Sequence, residues 1–221
     1  MLKRLLYTAI AALFIKELFF TSVTKTNIMI AQKAVTATSA FNFLSRYLTM
    51  WNMFLNTFFW SWKAIKTSTD KYNSYFFVAI LFPLSIIVGI YFWALQLIDP
   101  ELLQKGEARK YWTSYDRHFQ HTVPMVLVIL ECLVFTSKST GRNFAHFWSK
   151  IDFEDKFMGP MLFCTGYVMY AFYCFVTNKA WPYPFLDAMW NSAHHYQFGL
   201  FVIGSIGLFM LLAKVAVRLN N

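Results

Sequence analysis

Between Tyr75 and Ile98 the chain runs for 24 residues without an Asp, Glu, Lys or Arg. A run this long and this apolar exceeds what a soluble helix or strand uses, and it matches the roughly 20 residues that carry a helix across the hydrocarbon core of a bilayer. Met158–Val176 and Phe198–Val217 are similarly apolar. Three further stretches qualify with charges or shorter reach: Leu5–Val23, Phe41–Trp62, and Thr122–Phe135 with an extension back through Tyr115–His121. The expectation is an all-α integral membrane protein, a bundle of about six transmembrane helices forming a single polytopic membrane domain over residues 1–221. Composition agrees. Hydrophobic residues make up 57% of the chain and charged residues only 14%, against about 25% charged in a soluble domain. With 25 Phe, 12 Tyr and 8 Trp, one water-facing globule cannot hide its apolar surface. Disorder, a coiled coil and a disulfide scaffold are excluded on the same grounds.

The formal charge of +9 would suggest nucleic acid in a soluble protein. Here the basic residues mostly flank apolar runs, where they meet lipid head groups, so the expected partner is the bilayer and no nucleic acid. Eleven of them (Lys3, Arg4, Lys63, Lys66, Lys71, Lys138, Arg142, Lys150, Lys156, Lys214, Arg218) fall on one side of the six spans. Seven (Lys25, Lys33, Lys105, Arg109, Lys110, Arg117, Lys179) fall on the other. The bias puts both termini in the cytosol; the expected location is that of a multi-pass protein of the endomembrane system (endoplasmic reticulum) or the cell membrane, and the charges do not choose the organelle. Lys3-Arg4 before the first apolar run also suits a signal peptide; Lys16-Glu17 within the run favours a retained anchor. Tyr111, Trp112, Tyr115, Trp148, Trp181, Tyr183, Trp190 and Tyr196 read as the aromatic belts of the two interfaces. Cys132, Cys164 and Cys174 all lie in apolar runs and read as small core residues.

Ionisable groups inside a span cost about 2.5–3.5 kcal/mol each at the bilayer centre, so each calls for a partner or a role. Glu17 and Arg46 lie at similar depth on the first two spans, and an ion pair between them is expected. Glu131, on the fourth span, has no partner that sequence can name. On the second span Ser45, Arg46, Thr49, Asn52 and Asn56 fall within roughly 120° of helical arc. Such a stripe must face the bundle interior; interhelical hydrogen bonding explains it, as does Thr49 bonding back to the Ser45 carbonyl.

His118 and His121 stand at i and i+3 on the helix that enters the fourth span, just before Pro124. The second and fourth spans run in the same direction, so Thr49 and His121 can share a pocket on the non-cytoplasmic side. A hydroxyl beside an imidazole is the minimum pair for nucleophilic attack on a carbonyl. Spacing alone does not separate that pair from a coincidence of depth. The five histidines (His118, His121, His146, His194, His195) are too few for the multi-box di-iron centres of membrane oxygenases. Neither a metal nor a cofactor is expected.

Phe82-Pro83, Phe92-Trp93, Asp99-Pro-Glu101, His118-Phe-Gln-His121-Thr122-x-Pro124, Glu131 and Val176-Thr177-x-x-x-Trp181-x-Tyr183-Pro-Phe-Leu186 together resemble the family of androgen-induced gene product and androgen-dependent TFPI-regulating protein. The resemblance covers about Phe76–Leu186 and reaches back to Tyr47-Leu-Thr49. It implies a six-span hydrolase of fatty acid esters of hydroxy fatty acids with an essential threonine and histidine. By motif these are Thr49 as nucleophile and His121 as base. Arg117, where the family usually has Asn, and Asn178, where it has Gly, are departures near the mouth that bear on substrate preference.

The functional expectation is a membrane-embedded lipid esterase acting on a lipid ester substrate. Arg46, one turn before Thr49, is the candidate for binding a substrate carboxylate, with His118 as a second substrate-binding candidate. The alternatives are a non-catalytic membrane scaffold or signalling regulator, and a transporter, although paired broken-helix repeats are not visible. Sequence names no third catalytic residue; for the oxyanion it offers only backbone groups freed near Pro124.

Overall fold

A computed structural model describes residues 2–32, 40–66, 71–103, 110–135, 153–179, 181–192 and 196–219. Every regular element among them is helical. Lys33, Lys105, Arg109, Lys138, Arg142 and Lys150 of the charge count, and His146, Trp148, His194 and His195, lie outside the described residues. The helices are α1 (Leu2–Ile15), α2 (Val23–Ala31), α3 (Ala40–Leu44), α4 (Leu48–Ile65), α5 (Lys71–Phe76), α6 (Phe82–Ile98), α7 (Ser114–Leu130), α8 (Phe153–Asn178), α9 (Pro184–Trp190) and α10 (Tyr196–Leu219). π-Helical turns join α1 to α2 over Lys16–Ser22 and α5 to α6 over Phe77–Leu81, and another extends α7 over Glu131–Phe135.

Four tracts among the described residues are long and apolar enough to cross a membrane: Leu2–Ala31, Ser74–Ile98, Phe157–Asn178 and Tyr196–Leu219. They correspond to the first, third, fifth and sixth expected spans. The second and fourth expected stretches form α3–α4 and α7, which are helical but are not among the four candidate spans. Their helices carry the asparagines, histidines and charges that the site and the ion pairs use. The outward faces of the membrane-length helices stay apolar, with Leu97, Leu162, Met169 and Ile203 exposed, as expected of a surface solvated by acyl chains.

The core begins with the stripe Tyr7, Ile10, Ala11 and Phe14, all buried, whose spacing lays one face of α1 along α4. Their directions oppose: Arg4 Nε, at the start of α1, donates to the Ala64 carbonyl near the end of α4 at 3.2 Å. Met53, Phe59, Trp60, Leu81, Phe82 and Val128 complete the same buried cluster. Leu84, Ile87, Val88 and Phe209 form a second cluster where α6 meets α10. Trp181, expected in an interfacial belt, is instead buried: its ring stacks on Phe175 at 4.8 Å and lies 4.8 Å from Phe198.

Two expected ion-pair assignments are corrected. Glu17 does not pair with Arg46. Its carboxylate lies 3.4 Å from Lys16 Nζ and accepts from Tyr115 Oη at 3.2 Å, while Arg46 donates to Asn178 Oδ1 at 3.0 Å. Glu131 does have a partner. Lys63, expected as a loop charge, is buried and lies 2.9 Å from Glu131 Oε1; Tyr7 Oη donates to Glu131 Oε2 at 3.1 Å. A fully buried carboxylate needs this compensation, since its desolvation costs several kcal/mol.

Candidate functional site

The second expected span is not one continuous helix. α3 ends at Leu44, the chain turns through Ser45–Tyr47, and Tyr47 is extended at φ −93° and ψ 128° before α4 begins at Leu48. Neither Pro nor Gly stands at the break. Side chains from elsewhere take up the backbone groups it exposes, as burial requires. Trp51 Nε1 donates to the Ser45 carbonyl at 2.7 Å, and Tyr167 Oη donates to the Arg46 carbonyl at 3.2 Å. Thr49 therefore lies in the first turn of α4. It does not bond back to Ser45, whose carbonyl Trp51 has taken. First-turn amides have no partner inside the helix and sit at its positive end.

The partner of these amides is Tyr183. The Thr49 N–H donates to Tyr183 Oη at 3.4 Å, and the Thr49 hydroxyl, the Leu48 amide and the Tyr167 phenol lie beside the same oxygen. Tyr183 arrives from the connection between α8 and α9. Lys179, at φ 57°, ends α8 in the left-handed conformation, and Pro184 starts α9 at its first position. The Tyr183 ring packs edge-on against Tyr47 at 5.4 Å. Burial pushes the Tyr183 phenol above its ordinary range, while the neighbouring Thr49 and Leu48 groups pull the other way. The phenol is protonated at neutral pH, and with its oxygen accepting, its O–H remains a donor.

Below Thr49 the stripe is a buried hydrogen-bonded network in which Asn52 Nδ2 alone is left without a partner among the described residues. Asn56 Nδ2 donates to Asn52 Oδ1 at 3.0 Å, Ser85 Oγ donates to the same oxygen at 2.8 Å, and Trp60 Nε1 donates to Asn56 Oδ1 at 3.1 Å. Ser45 and Arg46 leave this stripe at the break. Ser45 Oγ lies 2.7 Å from Tyr170 Oη, and the Arg46 side chain reaches Asn178.

His121 is carried by α7, whose start is built by a capping box. The Asp116 amide donates to Thr113 Oγ at 3.3 Å, and the Thr113 amide donates to Asp116 Oδ2 at 2.6 Å. Lys25 closes on the same carboxylate. The His121 ring stacks on Phe92 of α6 with centroids 3.6 Å apart and planes within 7°. It is buried, and its Nδ1 has no hydrogen-bond partner.

Thr49 and His121 line one mostly apolar cavity of about 230 Å³ between α4, α6, α7, α8 and α10. Tyr47, Tyr167 and Tyr183 line it too, as do Arg117 and Gln120 of α7. Among the described residues no direct hydrogen bond joins the Thr49 hydroxyl to His121. Arg46 and His118 are not among the lining residues. His118 is exposed, with its ring 4.9 Å from Trp93 and its Nδ1 3.3 Å from Thr122 Oγ. Of the four residues singled out from sequence, Thr49 and His121 line this cavity and Arg46 and His118 do not. Tyr183 and the Leu48 amide were missed. Tyr183 stands in the Tyr-Pro-Phe-Leu motif but has the sequence context of an interface aromatic. No residue type signals a helix break made without Pro or Gly. Among the described residues no cluster of His, Cys, Asp and Glu is arranged to hold a metal.

Membrane-length apolar helices, with a mostly apolar cavity between them, define an all-helical membrane protein. The chain belongs to the androgen-induced gene 1 family: the family model described as FAR-17a/AIG1-like protein matches residues 3–221. No curated protein and no solved structure matches it.

Proposed function

We propose that the chain is a six-span, single-domain membrane hydrolase with both termini in the cytosol, acting on fatty acid esters of hydroxy fatty acids in the endoplasmic reticulum or the cell membrane. Thr49 is the nucleophile and His121 the base. The observation that carries this reading is the shared cavity: a hydroxyl in the first turn of a helix and an imidazole with an unpartnered Nδ1 line the same apolar chamber.

In this reading Thr49 Oγ attacks the ester carbonyl as His121 accepts its proton. The tetrahedral intermediate collapses, and His121 returns the proton to the departing alkoxide, releasing the hydroxy fatty acid. Water, deprotonated by His121, then cleaves the acyl-threonine to free fatty acid and Thr49. The oxyanion forms beside the first turn of α4, where the Tyr183 O–H and the helix's positive end are available to stabilise it. Bound substrate is expected to bridge Thr49 and His121, as catalytic hydrogen bonds often tighten only in the complex.

The test uses full-length protein in lipid nanodiscs, wild type against Thr49→Ala and Thr49→Ser. Wild type should hydrolyse the ester and be labelled covalently by a fluorophosphonate. Thr49→Ala should lose both, while Thr49→Ser keeps a reduced rate because it loses only the methyl that restricts χ1. A folded Thr49→Ala protein that still turns over the ester would remove Thr49 as the nucleophile; a wild type without turnover would favour a non-catalytic membrane scaffold.

A further inference from the structure

Among the described residues that line the cavity, Arg117 is the single charged side chain, and no Asp or Glu accompanies it. It has no hydrogen-bond or ion-pair partner among the described residues. The other charges drawn into the bundle are matched: Lys63 by Glu131 and Lys25 by Asp116. Arg117 is partly buried, and a guanidinium on the wall of an apolar chamber without a counter-charge keeps its donors for an anionic ligand.

We infer that Arg117 binds the free carboxylate of an acidic lipid in the cavity, which selects acidic esters over neutral ones; as a statement about substrate this rests on the hydrolase reading above. A guanidinium suits the role because it presents paired N–H donors that match the two carboxylate oxygens. Its position suits it as well. Arg117 precedes His121 by four residues, on the same face of α7 and about 6 Å away along the axis. The carboxylate is held about one helical turn from the base. Phe163 and Phe209, which also line the chamber, offer apolar wall to the acyl chains. Arg46, the cation that sequence pointed to, is occupied by Asn178 and lies off the cavity wall. A fully neutral ester would leave Arg117 unmatched.

The test compares wild type, Arg117→Gln and Arg117→Lys, each as the full chain in nanodiscs, on an acyl ester of a hydroxy fatty acid and on the methyl ester of that same compound. The ratio of kcat/KM between acid and methyl ester should fall at least about tenfold in Arg117→Gln, chiefly through KM for the acid, and Arg117→Lys should restore part of it. An unchanged ratio in folded Arg117→Gln protein overturns the assignment. A second measurement does not depend on catalysis: equilibrium binding of oleate and of oleyl alcohol, by displacement of a fluorescent fatty acid. Arg117→Gln should weaken oleate about tenfold and shift oleyl alcohol far less. If wild type hydrolyses neither ester, the hydrolase reading fails and this binding comparison decides the carboxylate site; equal weakening of oleate and oleyl alcohol, or of neither, overturns it.

Discussion

Gly89 of α6 lies so close to His121 of α7 that a methyl group at its Cα would stand 3.0 Å from the His121 carbonyl oxygen and 2.8 Å from Met125 Sδ. The absence of a side chain at this one position lets α6 and α7 approach, and that approach sets the His121 ring flat on Phe92. Gly89→Ala should therefore push the two helices apart at the candidate base. The sulfur can swing aside, but the backbone oxygen cannot move without its helix. Overpacking of this kind costs about 1–3 kcal/mol. The expected result is a lower melting temperature together with a loss of ester turnover larger than the stability change explains. Full activity in Gly89→Ala would mean that the alignment of His121 tolerates such a shift.

His121 and His118 should behave very differently on substitution, despite their spacing in sequence. His121 lines the cavity, whereas His118 is exposed and rests on Trp93. His121→Ala should lower turnover by roughly a thousandfold or more, as removal of a catalytic base does. His118→Ala should stay within about threefold of wild type, since exposed positions rarely matter to this degree. Comparable large losses from both substitutions, measured on correctly inserted protein, would contradict the placement of His118 outside the site.

Tyr183→Phe removes the oxygen to which the Thr49 amide donates while keeping the ring that packs on Tyr47. If the phenol stabilises the oxyanion, kcat should drop about 100- to 1,000-fold with KM changed little, in the range known for loss of a single donor. A purely structural role would appear as a rise in KM or a fall in thermal stability at unchanged kcat.

The buried pair of Lys63 and Glu131 makes a prediction about stability alone. Each single change, Lys63→Met or Glu131→Gln, strands or unbalances a desolvated charge and should cost about 3–5 kcal/mol, seen as a marked fall in melting temperature. The double change Lys63→Met with Glu131→Leu should recover most of that loss, because it removes both charges from the interior. The pair lies near the end of α4 opposite Thr49, about 21 Å along the helix, so the double variant should keep its ester turnover. A double variant no more stable than the singles would assign the pair a role beyond mutual neutralisation, with Tyr7 as the next residue to probe.

The sequence by itself determined the solvent of this protein and its helical class. A 24-residue run without charge leaves the backbone one economical way to satisfy its polar groups in lipid, which is to coil into a helix; that argument is local and needs no neighbour. Thr49 and His121 could be singled out by residue chemistry, depth and motif. The fates of the charges were decided by tertiary structure, because a charge takes the partner that packing brings within reach. Lys63 reads as a loop cation until α7 lays Glu131 beside it, and Glu17 meets Tyr115 where depth alone suggested Arg46. The break before Leu48 was equally invisible. Its exposed carbonyls are satisfied by Trp51, six residues beyond Ser45, and by Tyr167, 121 residues from Arg46. Only that break turns Thr49 from a mid-helix hydroxyl into a first-turn residue facing Tyr183. Sequence spacing carries the period of a helix; it does not carry which distant side chain will pay for ending one.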